Sequence, residues 1–200
     1  MILTPGQPLE PLWLNMGTEN QHISNAEEVV AQIRDRALNL YETRQLLCAE
    51  AVMVALNQGL SGGLTEAQAI AMAAPFSEAM GNSGCMCGAV SGAVLASGLL
   101  LGNDHPYRHR EEMRDNSREL HDAFKAEYGS TCCRALSRNV RHNKKVHHQH
   151  CAEFTGKAAE LAARLVIEKR PELLQNADTK FLSERQSKFK GALSRVLRLL

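Results

Sequence analysis

Apolar residues recur at the three- and four-residue spacing of an α-helix along most of this chain. The first series is Val29, Val30, Ile33, Ala37, Leu40 and Tyr41. A second series predicts a helix over residues 44–57, and a thinner apolar stripe predicts a charged surface helix over residues 107–128. A last series, between Cys151 and Val166, predicts a core-facing helix that ends before Pro171.

The middle of the chain predicts a short helix followed by one rich in small residues. Thr65 is a cap-type residue before the run EAQAIAMAA, and Pro75 interrupts that helix. A loop at residues 81–84 leads into the helical run GAVSGAVLASGLLLG. Three small residues lie four apart in this run: Gly88, Gly92 and Ala96. Because small residues at this spacing let a neighbouring backbone approach closely, we expect this helix to be central and buried.

The two ends of the chain differ from the helical middle. Residues 1–23 hold three of the six prolines and no periodic pattern, which predicts an extended arm. Residues 172–200 predict a basic amphipathic helix whose apolar positions are Leu182, Phe189, Leu193, Val196 and Leu200. The sequence therefore predicts an all-α bundle of five or six helices over residues 24–171, with an N-terminal arm and a C-terminal tail.

Composition agrees with a folded helical domain and narrows the classes of function. The 200 residues are 44% hydrophobic and only 4% aromatic, with few Val and Ile, which favours helices over strands. A net charge of +1 argues against a dedicated nucleic-acid binder. The first residues show no export signal, and the longest apolar stretch, residues 89–101, is too short to cross a bilayer. We therefore expect a cytoplasmic protein without a membrane span.

Six cysteines are the most informative feature of the composition: Cys48, Cys85, Cys87, Cys132, Cys133 and Cys151. In a reducing compartment, clustered cysteines bind metal or take part in redox chemistry more often than they form structural disulfides. Burial as small apolar side chains explains one or two cysteines better than six. The six occupy four separate points of the chain, which is the ligand number of a tetrahedral metal or of a four-cysteine cluster.

Histidines and basic residues precede the last cysteine. On a helix, His147 and His148 would lie on the same side as Cys151, where they are candidate metal ligands or proton carriers. A solvated basic segment is the alternative that we favour for each histidine taken alone. Residues 134–145 contain no acid. A solvated face is the favoured interpretation, a docking surface for an acidic redox partner is the alternative, and a phosphate backbone is a less favoured one.

Four blocks of sequence resemble, in order, the C-GCAxxG-C-C family of redox-active proteins. They read LLCAEAVMVAL, SGCMCGAVSGAVLASGLLLG, EYGSTCCRAL and HCAEFTGKAAELA. The resemblance extends from about residue 26 to residue 166. It implies a helical fold and a metal or iron–sulfur role, without a known substrate.

By position, the resemblance places the family cysteines on Cys48, Cys87, Cys133 and Cys151. The central block departs from the family order, because Cys85 follows the glycine while Cys87 precedes Gly88 and Ala89. Cys85 and Cys132 therefore remain alternative ligands. Cys87 and Cys133 are favoured within their pairs because each starts a predicted helix, whose amides and dipole stabilise a thiolate.

Three functions are consistent with these observations. The first is a redox or electron-transfer protein in which Cys48, Cys87, Cys133 and Cys151 hold an iron–sulfur cluster or another metal. The second is a metal-free thiol–disulfide sensor that exchanges disulfides within the pair Cys85/Cys87 or the pair Cys132/Cys133. The third is a zinc-stabilised structural or interaction protein. A redox partner protein and self-association through the C-terminal helix are the expected contacts. The alternatives for this tail are that it lies on a membrane surface or caps the bundle.

Overall fold

The structure, a computed structural model, describes residues 13–102 and 107–187, which contain α-helices, short 3-10 segments and no strand. The helices are α1 (Trp13–Glu42), α2 (Cys48–Gly59), α3 (Glu66–Ala73), α4 (Ser77–Asn82), α5 (Gly88–Leu101), α6 (Arg110–Tyr128), α7 (Cys133–Leu136), α8 (Lys144–Lys169) and α9 (Thr179–Ser183). The 3-10 segments are Ala74–Phe76 and Pro171–Asn176. The all-α prediction is confirmed. None of the described helices is both long enough and apolar enough to cross a membrane.

Helix α2 lies at the centre of the bundle. It contacts α1, α5 and α8, while α8 also packs against α1 and α5, and α6 covers α5 and α8. Its residues Val52, Met53 and Leu56 are fully buried. A helix that is apolar on every side, as the run AVMVAL is, suits such a fully enclosed position.

The small-residue face of α5 packs directly on α2, as the sequence predicts. A Cβ atom placed on Gly92 would lie 2.5 Å from the carbonyl oxygen of Ala49. Ala96 is fully buried on the same face. The absence of a side chain at residue 92 therefore sets the distance between the two central helices.

The extended arm predicted for residues 1–23 is wrong for its second half, because α1 begins at Trp13. The three prolines of this region all lie at or before Pro11, so no ring blocks helical hydrogen bonding beyond that point. Residues 1–12 lie outside the described part of the chain. Helix α2 also begins later than predicted, at Cys48, because Arg44 has a left-handed backbone with a φ of 57°.

The chain turns through a left-handed segment after Pro75. Four successive residues, Glu78, Ala79, Met80 and Gly81, have φ between 51° and 63°. This conformation costs L-amino acids about 1–2 kcal/mol per residue, so it persists only where the surrounding structure fixes it. The left-handed turn at residues 78–81 therefore leads into the loop predicted at residues 81–84, and the sequence does not predict this turn.

The described start of the C-terminal tail packs on the chain's own core. Leu182 is fully buried, and its Cδ2 atom would lie 2.8 Å from a Cβ placed on Gly59. The buried Arg36 lies over the ring of Phe181 and forms an ion pair with Glu184 at 3.1 Å. Leu182 thus belongs to the core and not to a partner-facing stripe. The other four apolar tail positions lie outside the described residues.

Candidate functional site

Four cysteines from four different elements line one cavity of about 930 Å³. Cys48 is the first residue of α2, Cys87 directly precedes α5, Cys133 is the first residue of α7, and Cys151 lies within α8. The segment between α1 and α2, the left-handed turn and the start of α8 also contribute residues to the lining of the cavity. The fold thus brings four cysteines that are far apart in the sequence, between residues 48 and 151, around one cavity.

Backbone hydrogen bonds hold the loops before α5 and α7 side by side. The amide of Cys87 donates to the carbonyl of Thr131 at 2.7 Å, and the amide of Arg134 donates to the carbonyl of Gly84 at 3.2 Å. The side chain of Arg134 adds a bond to the carbonyl of Ser83 at 2.8 Å. These bonds fix Cys87 relative to Cys133.

Gly88 lets the start of α5 sit against Cys48. A Cβ atom at this position would lie 2.5 Å from the Sγ of Cys48 and 2.8 Å from the carbonyl oxygen of Phe76. The backbone of Glu78, in the left-handed turn, lowers the pKa of Cys48, although by less than burial raises it. Glu78 and Ala79 of the turn also line the cavity.

Cys85 and Cys132 do not line the cavity. Cys85 is exposed, and the Cys132 thiol donates to the carbonyl of Gly84 at 3.4 Å. All six cysteines are free thiols in the structure. Within each close pair, the cavity therefore takes the cysteine that starts a helix and leaves out its neighbour.

His147 and His148 also line the cavity. The ring of His148 stacks on Tyr41, with 4.8 Å between centroids and 19° between planes. The Nε2 atom of His147 is buried and has no hydrogen-bond partner within the part of the chain that the structure describes. Among the described residues, no group of three or more His, Cys, Asp or Glu side chains is arranged to hold a metal ion.

Burial dominates the electrostatics of the four thiols. It raises the pKa of Cys87 and that of Cys151 to about 12, and it also raises the pKa of Cys48 and Cys133. A negative charge on Cys48 would raise the pKa of the other three further. Amides of Ala89 and Val90 pull the pKa of Cys87 down, but by less than burial raises it. The thiolate predicted at the start of this helix is therefore a neutral thiol in the free protein.

Sequence analysis missed a set of cationic side chains around the cavity. They are Arg44, Arg134, Arg141 and Lys144. The sequence contains a basic stretch at residues 134–145, but it does not reveal which side chains of that stretch face the cavity. No sequence pattern indicates that Arg44 lines the cavity. Its backbone there is left-handed, which the sequence does not predict.

The raised pKa values predict an unusual pH dependence of thiol alkylation. In reduced, metal-free protein, the rates of Cys87 and Cys151 with iodoacetamide should rise about tenfold per pH unit from pH 7 to pH 10, because the reactive thiolate fraction is still climbing. Peptide mass spectrometry would follow each cysteine separately, with the exposed Cys85 as the accessible reference. A plateau near pH 9 for Cys87 and Cys151 would contradict the burial that raises their pKa.

Comparison with known families identifies a match over more than half of the chain. The sequence model of the family described as "Putative redox-active protein (C_GCAxxG_C_C)" matches residues 46–165. The matched range contains all four cavity cysteines. Neither the curated proteins nor the solved structures contain a significant match to the chain.

Proposed function

The chain belongs to the C-GCAxxG-C-C family, and from that premise we propose that its cavity holds a redox centre bound by Cys48, Cys87, Cys133 and Cys151. An iron–sulfur cluster is the cofactor that we favour. The observation that carries the proposal is the single cavity lined by one cysteine from each of the four cysteine-bearing points. Thiolates are the ligands that iron–sulfur clusters and other soft metals prefer.

The size of the cavity favours a cluster over a single ion. A structural zinc ion needs its sulfur ligands to converge within about 2.3 Å of one point. No group of side chains in residues 25–102 and 107–187 is arranged to hold a metal ion. A cluster of several atoms needs more space than one ion, and the cavity has the volume for it. The zinc scaffold is therefore the weaker candidate.

The chain's own groups would set the properties of such a centre. The cluster supplies one-electron transfer when it is bound. The backbone amides of Glu78 and Ala49 lower the pKa of Cys48, and those of Ala89 and Val90 lower the pKa of Cys87, so they favour negative charge on these two sulfurs. Hydrogen bonds to ligand sulfurs stabilise the added negative charge of the reduced form, so they raise the reduction potential. Because the free thiols are neutral, binding must release protons and should tighten as pH rises.

Anaerobic purification followed by absorption spectroscopy and metal analysis tests this proposal. Brown protein with iron and acid-labile sulfide in similar amounts would support it. Colourless protein with one zinc per chain would favour the zinc scaffold. Colourless protein without metal would favour thiol–disulfide chemistry.

Disulfide exchange remains a second candidate function because of one observation. The Sγ of Cys132 lies 3.4 Å from the carbonyl oxygen of Gly84, the residue directly before Cys85. Backbone hydrogen bonds hold these two loops together. The two loops thus lie side by side, which favours a Cys85–Cys132 disulfide between the loops over the sequence-based pairs within each loop.

Mild oxidation should test that pairing. Diamide takes two electrons and two protons from two thiols, which leaves a disulfide. We expect non-reducing peptide maps of the treated protein to contain a Cys85–Cys132 link as the main product. Links within Cys85/Cys87 or Cys132/Cys133 as the main product would contradict the geometry. The Cys85→Ser variant should lose the product.

We also propose two protein–protein contacts, one with a redox partner and one between copies of this chain. An acidic redox protein is the partner class that suits the exposed basic residues of the segment 134–145. Self-association through the tail now rests on residues 188–200, because Leu182 packs in the core.

A further inference from the structure

The cavity beside the cysteines carries more positive than negative charge. Its cations are Arg44, Arg134, Arg141 and Lys144, and its carboxylates are Glu50 and Glu78. None of the four cations forms an ion pair with a carboxylate of the described residues. The carboxylate of Glu50 accepts the amide of Leu47 at 2.8 Å. Four cations against two carboxylates leave the lining of the free cavity with a net positive charge.

These cations stand close to the cysteines along the chain and along α8. Arg134 follows Cys133 directly, and Arg44 precedes Cys48 by four residues. Lys144, His147, His148 and Cys151 share one face of α8, since they are spaced three, one and three residues apart. At 1.5 Å per residue, the Lys144 end of this face lies about 10 Å from Cys151 along the helix axis. Three of the four cavity cysteines thus have a cavity-lining cation near them in the sequence or on the same helix face.

The cavity has room for a ligand in addition to a metal centre. Its volume of about 930 Å³ is at the upper end of the range for small-molecule sites, which is about 300–1,000 Å³. His147 supplies a further polar group, since its buried Nε2 atom has no partner among the described residues. A buried nitrogen without a partner is costly unless something else hydrogen-bonds it.

We propose that the cavity binds a small, multiply charged anion, carrying carboxylate or phosphate groups, beside the cysteines. Arg141 and Lys144 hold the anion at the α8 end, and Arg44 and Arg134 hold it near the thiols. This role would deepen the proposed redox function, since it names the class of molecule that reaches the centre. Binding itself does not require the metal, because the cations belong to the protein surface of the cavity.

Two charge-reversal variants separate a built anion site from a general effect of charge. Arg141→Glu/Lys144→Glu changes two exposed residues that line the cavity. Arg138→Glu/Lys145→Glu makes the same change of net charge on the same segment, at exposed residues that do not line it. Calorimetric titration with inorganic pyrophosphate and with citrate, on full-length protein as purified, compares the two ligand chemistries. The uncharged trimethyl ester of citrate is the ligand control.

We expect the wild-type protein to bind at least one of the two anions and not the ester. The cavity variant should bind about tenfold more weakly or worse, while the matched control stays within about twofold of wild type. The proposal would be overturned if neither anion binds at 10 mM, or if both variants lose the same amount of affinity. Metal and sulfide contents measured on the same samples report separately on the redox centre, so failure of one claim is distinguishable from failure of the other.

Discussion

Serine in place of Cys48 or Cys151 should remove most of the bound metal. Each is the single cysteine at its point of the chain, and both line the cavity. A hydroxyl oxygen is a poor replacement for a soft thiolate, and no other cysteine can reach either position. Metal and sulfide per chain, measured after anaerobic purification, would show the loss. Thermal unfolding of each variant by circular dichroism would show whether the fold survives.

Serine at Cys85 or Cys132 is the matched control for that experiment. These thiols lie outside the cavity, although each is a close chain neighbour of a cavity cysteine. We expect both variants to keep nearly all of their metal, whereas Cys87→Ser and Cys133→Ser lose most of it. Equal losses at Cys85 and Cys87 would contradict the assignment within that pair. Full retention in Cys48→Ser and Cys151→Ser would end the four-cysteine account.

Alanine at Gly92 should destabilise the fold, whereas alanine at Gly98 of the same helix should not. A Cβ at residue 92 would meet three backbone atoms of Ala49 at 2.5–3.1 Å, and backbone cannot move aside easily. Nothing lies within 4 Å of a Cβ at Gly98. Replacing glycine by alanine adds the same helix propensity at both positions. The difference between the two variants in the free energy of unfolding therefore measures the packing cost at residue 92, which we expect to be about 1–3 kcal/mol.

Urea denaturation of the two alanine variants would measure this difference in the free energy of unfolding. We expect Gly98→Ala to be slightly more stable than wild type and Gly92→Ala to be less stable. Equal stabilities would mean that α2 and α5 are not held at the close distance seen in the structure. The same close packing places Gly88 against Cys48, so it also sets the geometry of the cavity.

Local chemistry explains the parts of the fold that the sequence predicts well. Thr65 caps α3 with its side-chain oxygen, which accepts the amide of Gln68, and this signal is contained in four consecutive residues. The close contact at Gly92 follows from residue size and helical spacing alone. The prolines that predict an extended arm end at Pro11, before α1 begins at Trp13, so they do not mark the start of that helix.

Tertiary context explains what the sequence does not predict. Glu, Ala and Met have no preference for left-handed backbone, so the turn at residues 78–81 is imposed by the packing around it. The neutral state of the Cys87 thiol likewise depends on the depth of its burial, which helix position alone does not reveal. The four cations that line the cavity come from two segments that lie ninety or more residues apart in the sequence. Arg44 is in the first segment, and the second contains Arg134, Arg141 and Lys144.

A chain that contains only the four cavity cysteines tests the central claim most directly. Cys85→Ser/Cys132→Ser removes both thiols outside the cavity and leaves Cys48, Cys87, Cys133 and Cys151. The measurement is iron and acid-labile sulfide per chain after anaerobic purification, with electron paramagnetic resonance before and after reduction. The account predicts the wild-type iron and sulfide content and a signal that changes reversibly on reduction. A variant without iron, beside a wild-type protein that contains it, would contradict the account.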